Sequence, residues 1–318
     1  MVIELVSACP VHECPYFYFN LATVILLAVV TAWGFLFRGR KQKLPPGPFQ
    51  WPIVGNLHMM GELPHQAITA LSMKYGPLMS LRLGSYLTLV VSSPDVAEEF
   101  LKTHDLAFSS RPPTIGTKYL WYNSSDVTFS PYGPYWRQMR KICVLQLLSS
   151  RRIDSFRHIR EEEVSAMIRS IANSDLRPVN ISRAVSALGI DIICRMAFGK
   201  KYCDQDLIGG IGIKSMIKET FVLAGSSNMG DFIPYLAWID LQGLNRRLKN
   251  IHKIQDDLLE KILEEHASPP QNNPNYMPDL VDVLLGASAD EDLELEITRD
   301  NIKSVIYVYI LHAIIRFQ

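Results

Sequence analysis

Phe129-Ser130-Pro131-Tyr132-Gly133-Pro134-Tyr135-Trp136-Arg137-Gln138-Met139-Arg140-Lys141 carries a Gly-Pro break followed by a run of helical character. The pattern predicts a helix over 134–148, in which Trp136 and Arg140 stand four residues apart and share one face. An indole N–H and a guanidinium fork on one face are donors suited to a carboxylate. The same pair also fits a Trp packed on a core with Arg capping it, and the spacing alone leaves both readings open.

Downstream the pattern stays helical, with helices expected over 152–172, 179–197, 211–224 and 241–266 between Gly-, Pro- or Asn-rich breaks. The segment 268–278 (SPPQNNPNYMP) reads as a loop, and 290–296 (DEDLELE) as a solvated acidic turn. Upstream, residues 62–75 place Leu63, Ala67, Ala70 and Leu71 at helical spacing. Leu78–Leu83 and Leu87–Val91 alternate around Gly84-Ser85, the signature of a β-hairpin. Ser93-Pro94-Asp95 opens another helix, whose buried face is expected to hold Val96, Phe100 and Leu101. The fold class is therefore mostly α with a small N-terminal β-sheet.

Lys+Arg and Asp+Glu balance at 32 each in 318 residues, so no global charge argues for a nucleic-acid partner. The five cysteines (Cys9, Cys14, Cys143, Cys194, Cys203) form no C-x-x-C and no zinc-spaced cluster. Cys143 and Cys194 read as small core residues. From Tyr16 to Phe37 no residue is charged, and as a helix that stretch reaches about 33 Å, enough to cross a hydrocarbon core. Aromatic residues sit at both ends, and Arg38, Arg40, Lys41 and Lys43 follow at once. The positive-inside rule then puts everything after Arg38 in the cytosol. On that topology neither sequon, at Asn123 or Asn180, meets the glycosylation machinery. The organisation expected is a lumenal tail over 1–15, a transmembrane signal-anchor over 16–37, a basic and proline-rich hinge over 38–48, a domain over 49–306 and an aberrant tail over 307–318. Leu44-Pro45-Pro46-Gly47-Pro48 reads as a semi-rigid spacer between bilayer and domain.

Six strings occur in a telling order. They are Pro45-Pro46-Gly47-Pro48, Pro52-Ile53-Val54-Gly55-Asn56-Leu57, Lys74-Tyr75-Gly76-Pro77-Leu78, Phe108-Ser109-Ser110-Arg111-Pro112, the 129–141 run above, and Asp231-Phe232-Ile233-Pro234. Together they resemble the cytochrome P-450 family of haem-thiolate monooxygenases, of the microsomal plant type. The resemblance implies a partial P-450 fold behind one transmembrane helix, in the endoplasmic reticulum membrane with the domain cytosolic. It implies haem, an NADPH-dependent cytochrome reductase as electron source, and a small lipophilic substrate of the specialised-metabolite kind, hydroxylated with O2. The family's W-x-x-x-R pattern, which meets a haem propionate, falls on Trp136 and Arg140. Two stretches would shape a substrate pocket by the same resemblance: the loop 113–128 with Leu120, Trp121 and Tyr122, and the segment 221–235 with Phe221, Val222 and Phe232.

Other family features are absent. The iron needs a cysteine thiolate, which favours O–O cleavage, in an F-x-x-G-x-R-x-C loop that none of the five cysteines matches. The oxygen-activating acid–Thr pair is also missing, so no catalytic or metal-ligating residue is assigned. One E-x-x-R, Glu296 to Arg299, sits beside the acidic turn and reads as chance. Asp300 to Ile306 looks like the start of the family's central helix, and the chain is expected to depart from the family after it. The alternative function is therefore a catalytically inactive, truncated membrane-anchored protein or a gene-model artefact, with exposed apolar surface where core partners are missing.

Overall fold

Short strands near the start and long helices after them follow the change of hydrophobic period along the chain. The computed structural model describes residues 18, 20–25, 27–29, 44–174, 177–201, 212–267, 278–289 and 296–315. Helix α1 (Pro64–Tyr75) starts on a proline, whose missing N–H falls where a helix has no internal partner. Strands β1 (Leu78–Leu83) and β2 (Tyr86–Val91) pair antiparallel, from Leu78 opposite Val91 to Leu83 opposite Tyr86. Between them Gly84 adopts φ 60°, where a side chain is disfavoured. A Cβ there would also stand 2.3 Å from the carbonyl oxygen of Phe232. The Ser85 N–H donates to that same oxygen at 2.8 Å, so the hairpin tip is tied to a segment far along the chain.

Alternating burial is expected of a sheet with one wet face, yet Met79, Ser80 and Leu81 are all buried. The chain ahead of α1 covers β1. Ser80 N–H donates to Pro46 O at 2.9 Å, and Ser80 Oγ donates to Pro45 O at 2.8 Å. The prolines read as a spacer are thus docked on the domain, and a Cβ on Gly47 would lie 2.0 Å from Ser80 O.

Helix α2 (Pro94–Glu98) is capped as expected, Ser93 Oγ accepting from the Val96 N–H at 3.4 Å. It runs into a π-helical turn over Glu99–Thr103, then α3 (Asp105–Phe108). A π turn shifts the i, i+4 register, so Leu101, expected inside, is 74% exposed. Phe100 instead stacks on Phe108, ring centroids 4.3 Å apart.

The span 113–128, read as a loop, contains α4 (Ile115–Leu120). Its capping box uses Thr114 and Thr117, and the sequence signature has Glu or Gln at the second place. Helix α5 (Pro134–Ile142) passes into a π segment over Cys143–Leu147. The single helix expected over 152–172 is two, α6 (Ser150–Ser155) and α7 (Arg157–Ala172), separated at Phe156, whose ring is buried. Helices α8 (Ile181–Phe198), α9 (Ile213–Ala224), α10 (Met229–Phe232) and α11 (Leu244–His266) follow. Asn180 Oδ1 caps α8, and Gly199 closes it at φ 67°.

Helix α12 (Leu280–Ser288) lies outside the helices expected from sequence, because nine residues are too short a run for a helical period to be read; Leu280, Val281 and Leu284 form its buried face. Helix α13 (Arg299–Ile315) begins where the central helix was expected and continues unbroken past Ile306. The core forms where α8, α11, α12 and α13 meet: Cys194 and Phe198, Ile262 and Leu263, Val281 and Leu284, Ile302 and Ile306. Cys194 is buried as expected, whereas Cys143 is only partly so. Arg299 Nη2 donates to Glu260 of α11 and not to Glu296, in keeping with a chance E-x-x-R.

Of the anchor expected over 16–37, Tyr18 and residues 20–25 and 27–29 are described and helical. Among the described residues no helix is long and apolar enough to cross a membrane. The remainder of that anchor, the 1–15 tail, the basic cluster, Cys9, Cys14, Cys203, and nearly all of the Pro/Asn-rich loop and the acidic turn lie outside the described residues.

Candidate functional site

A cavity of about 1340 Å3 opens between the hairpin, α4, α9 and α13. Its wall is mostly aromatic and aliphatic, with Phe108, Trp121, Phe129, Phe221, Phe232 and Leu311 among the lining residues. Few polar groups reach it, chiefly Arg111, Thr220, Asn228 and Asp231. A large apolar hollow with sparse polar groups is the usual form of a small-molecule site.

One wall, residues 114–129, pairs with no strand and is held by side chains. Asp231 Oδ1 accepts from the Ile115 N–H at 2.6 Å at its start. Gln255 Nε2 donates to Leu120 O at 3.1 Å, and Ser304 Oγ to Trp121 O at 3.1 Å. Tyr122 OH donates to Asp256 Oδ1 at 3.0 Å. Tyr135 OH donates to Ser125 O at 2.5 Å, and Trp136 Nε1–H to Val127 O at 2.8 Å. These pins hold Tyr122, Asn123 and Ser124 at φ 47°, 58° and 62°, a left-handed run that costs energy in non-glycine residues. The result presents Trp121 to the cavity, its ring tilted against Phe129 with centroids 4.4 Å apart.

Behind this wall sits a charged cluster. Lys303 of α13 is only 6% exposed and meets Asp256 Oδ1 at 2.7 Å and Glu260 Oε2 at 2.6 Å on α11. Asp256 and Glu260 share a helix face at i, i+4. Burial opposes ionisation of Asp256, but the Lys303 ammonium and the Tyr122 hydroxyl outweigh it and hold the carboxyl below its usual range. Burial likewise opposes the charge on Lys303, and the two carboxylates overcome it, raising the ammonium's pKa. The Tyr122 hydroxyl is pushed far up by burial and by Asp256, so it stays a proton donor. Deeper still, buried Tyr307 meets Thr220 on the cavity floor at 2.5 Å.

Of the pocket residues expected from sequence, Trp121, Phe221 and Phe232 line the cavity. Leu120 and Tyr122 point into the core beside it, and Val222 is 46% exposed. Asp231 falls in the D-F-I-P string and Phe129 in the 129–141 run already noted, whereas Thr220 carried no signal separating it from ordinary helix residues. Burial pushes up the Asp231 carboxyl against the opposing Ile115 N–H.

Trp136 and Arg140 do share a face, with the guanidinium over the indole at 5.0 Å. The indole N–H, however, is already given to Val127 O, which leaves the exposed Arg140 fork as the donor open to a carboxylate. For haem iron the fit is poorer. Burial raises the Cys143 thiol to about 11, away from the thiolate form, and neither Cys143 nor Cys194 lines the cavity. The described residues therefore suit an anionic edge of the cofactor and offer no axial ligand.

Residues 45–311 match the family model for cytochrome P450. The chain belongs to the cytochrome P450 family. It is 46% identical over 278 residues to cytochrome P450 750A1 of Pinus taeda, covering 84% of this chain and 53% of that protein. It is 40% identical over 304 residues to premnaspirodiene oxygenase of Hyoscyamus muticus, covering 91% and 59%. Strychnine-11-hydroxylase of Strychnos nux-vomica is 42% identical over 273 residues, covering 84% and 53%. A zebrafish cytochrome P450 solved with progesterone superposes with a TM-score of 0.57 at 26% identity, over 77% of this chain and 55% of that one. The P450 chain described here thus spans about half the length of the curated relatives it matches.

Proposed function

We propose that this chain carries the substrate pocket of a membrane-bound, haem-dependent monooxygenase of the endoplasmic reticulum. The substrate class is a small lipophilic metabolite, hydroxylated with O2 and with electrons passed from NADPH by a separate reductase. The observation that carries this reading is the 1340 Å3 apolar cavity walled by Trp121, Phe129, Phe221 and Phe232. Relatives named as a premnaspirodiene oxygenase and a strychnine 11-hydroxylase support it. The exposed apolar residues Leu21, Val24, Ile25, Leu27 and Val29 support the anchor, since lipid is the solvent that suits them.

Haem, when bound, supplies the oxygen chemistry. The chain's own residues do three things around it. The aromatic wall desolvates and orients the substrate. Arg111 and Asp231, the charged groups on the lining, offer the polar contacts that fix its pose. Arg140 and Trp136 present a cation stacked on an indole at the surface of α5, suited to a propionate.

A second reading, a catalytically silent anchored protein, is favoured by one observation on the described residues: neither Cys143 nor Cys194 lines the cavity, and burial holds the Cys143 thiol away from the thiolate form. Two measurements on the expressed full chain test both readings. The reduced, CO-bound absorption spectrum is expected to lack a thiolate-type signal, and its appearance would overturn the second reading. Binding of the lipophilic probe Nile red is expected to weaken when Val308→Trp fills the cavity. Unchanged binding in that variant would sink the pocket.

A further inference from the structure

Among the described residues, Asp231 is the one carboxylate on the lining of the main cavity, where Arg111 is the other charged group. It stands in α10, and the backbone there is held on several sides. Asn228 Oδ1 accepts from the Gly230 N–H at 2.9 Å, and the hairpin's Ser85 N–H donates to Phe232 O at 2.8 Å. Gly230 itself packs so closely on α4 that a Cβ there would lie 2.9 Å from Ile115 Cδ1. A side chain on so fixed a backbone has little freedom left to lose when it meets a ligand.

The carboxyl group is only half served by the protein. Its Oδ1 accepts from the Ile115 N–H at 2.6 Å, whereas Oδ2 has no hydrogen-bond partner among the described residues. Burial pushes the carboxyl up, the Ile115 N–H opposes it, and no charged side chain contributes. Arg111 does not fill that role, since it is exposed and lies over the Phe129 ring at 5.6 Å. An anion in an apolar cavity is costly without a counter-ion, and a cationic ligand removes that cost for both partners. Phe108, Trp121 and Phe232 on the same lining add ring faces that suit a desolvated cation. A neutral hydroxyl reaches the same oxygen but leaves the charge unmatched, and a carboxylate is repelled.

We propose that Asp231 is the counter-ion for a lipophilic amine, so that this cavity takes a bulky apolar skeleton carrying one protonated nitrogen. The ammonium N–H donates to Oδ2 while Oδ1 stays on Ile115, and the skeleton lies along the aromatic wall. The inference rests on the pocket reading above and narrows its lipophilic metabolite to a base. Because Oδ1 ties α10 to the first residue of α4, an amine held at Oδ2 also braces the two walls against each other.

The test uses the full chain in phosphatidylcholine nanodiscs, with the cavity-filled Val308→Trp variant as the blank. Three probes share one skeleton: 4-phenylbenzylamine, 4-phenylbenzyl alcohol and biphenyl-4-carboxylate. Their affinities are read at neutral pH by displacement of Nile red. A hydrogen bond to a charged group exceeds a neutral one by about tenfold in affinity. The amine is therefore expected to bind about tenfold more tightly than the alcohol, with the carboxylate weakest. In Asp231→Asn, whose side-chain oxygen still accepts from Ile115, amine and alcohol should bind alike, and the alcohol as in the parent chain. Equal affinities in the parent chain would overturn the site without recourse to a variant, and so would an amine preference that Asp231→Asn keeps. A carboxylate that binds tightest would overturn it in favour of Arg111. Nile red binding no different from the blank refutes the pocket itself, and the amine site with it.

Discussion

Replacing Lys303 with Met keeps most of the side-chain volume and removes the cation that Asp256 and Glu260 share, leaving Glu260 with Arg299 alone. Breaking a fully buried pair by deleting one partner costs about 3–5 kcal/mol. Here Lys303 is 6% exposed but its partners are 39% and 36% exposed, so water screens the carboxylates left behind. The expected cost falls to about 2–3 kcal/mol after that discount. With a urea m-value near 3 kcal/mol/M, typical of the upper range, the unfolding midpoint of the full chain should fall by close to 1 M. A local effect should accompany the global one. Asp256 would stay ionised without its ammonium, and the Tyr122 pin would lose its partner's anchor to α13. Hydrogen exchange at the amides of Asn123, Ser124 and Ser125 should then quicken more than exchange elsewhere in the wall. Adding Asp256→Asn removes the stranded charge, since Glu260 keeps Arg299, and should recover at least half of the loss. A midpoint unmoved by Lys303→Met, or a double variant less stable than the single one, would refute the reasoning.

His266 donates from both ring nitrogens, Nδ1 to Ile262 O at 2.7 Å and Nε2 to Asp279 Oδ2 at 2.8 Å, so the ring is an imidazolium. The hydrogen bond to Asp279 is the main cause that raises its pKa to about 9. A raised pKa gives stability that is complete below about 6.5 and lost as pH climbs through 9. Roughly 2 kcal/mol should disappear between pH 7 and 10 after discounting for solvent. Thermal melts of His266→Gln should show no such slope. Glu163, 5% exposed, accepts from Arg195 at 2.6 Å and Lys201 at 2.5 Å. Glu163→Gln should cost about 2 kcal/mol by chemical denaturation, because Arg195 and Lys201 lose their buried partner and keep only Glu162 and Asp191, with solvent screening part of the loss. Gly84→Ala meets both a positive φ and the Phe232 carbonyl, so a loss of about 2 kcal/mol and weaker Nile red binding are expected together.

Elements with a clear period were legible: the hairpin around Gly84-Ser85, the Ser93 cap and the long α11 all stand close to where the pattern put them. Helix α12 was not, since a run of nine residues is too short for its period to stand out. Leu101 shows a different limit. Its placement assumed an uninterrupted α-helix, and the π turn over Glu99–Thr103 is a tertiary choice that local sequence does not announce. The pocket was legible only by residue neighbourhood. Leu120, Trp121 and Tyr122 are consecutive, yet the left-handed turn after them sends Trp121 to the cavity and Tyr122 to Asp256. Lys303 reads in sequence as one surface lysine at the start of a helix. Only the approach of α13 to the Asp256–Glu260 face makes it the centre of a buried cluster.

Trp136 shows how a correct pairing can carry a different division of labour. The i, i+4 spacing places its ring under the Arg140 guanidinium, as one helical face requires. The reach of the indole N–H is set by the wall and not by α5. Val127 O stands 2.8 Å away and has no strand to pair with, so the indole satisfies it. Under the proposed function the charge toward a propionate belongs to Arg140, while Trp136 holds the stretch between the left-handed turn and Phe129. Both roles converge on the cavity, because Phe129 is the ring against which Trp121 packs. A shift of Trp136 would therefore move the substrate wall and the cofactor edge together.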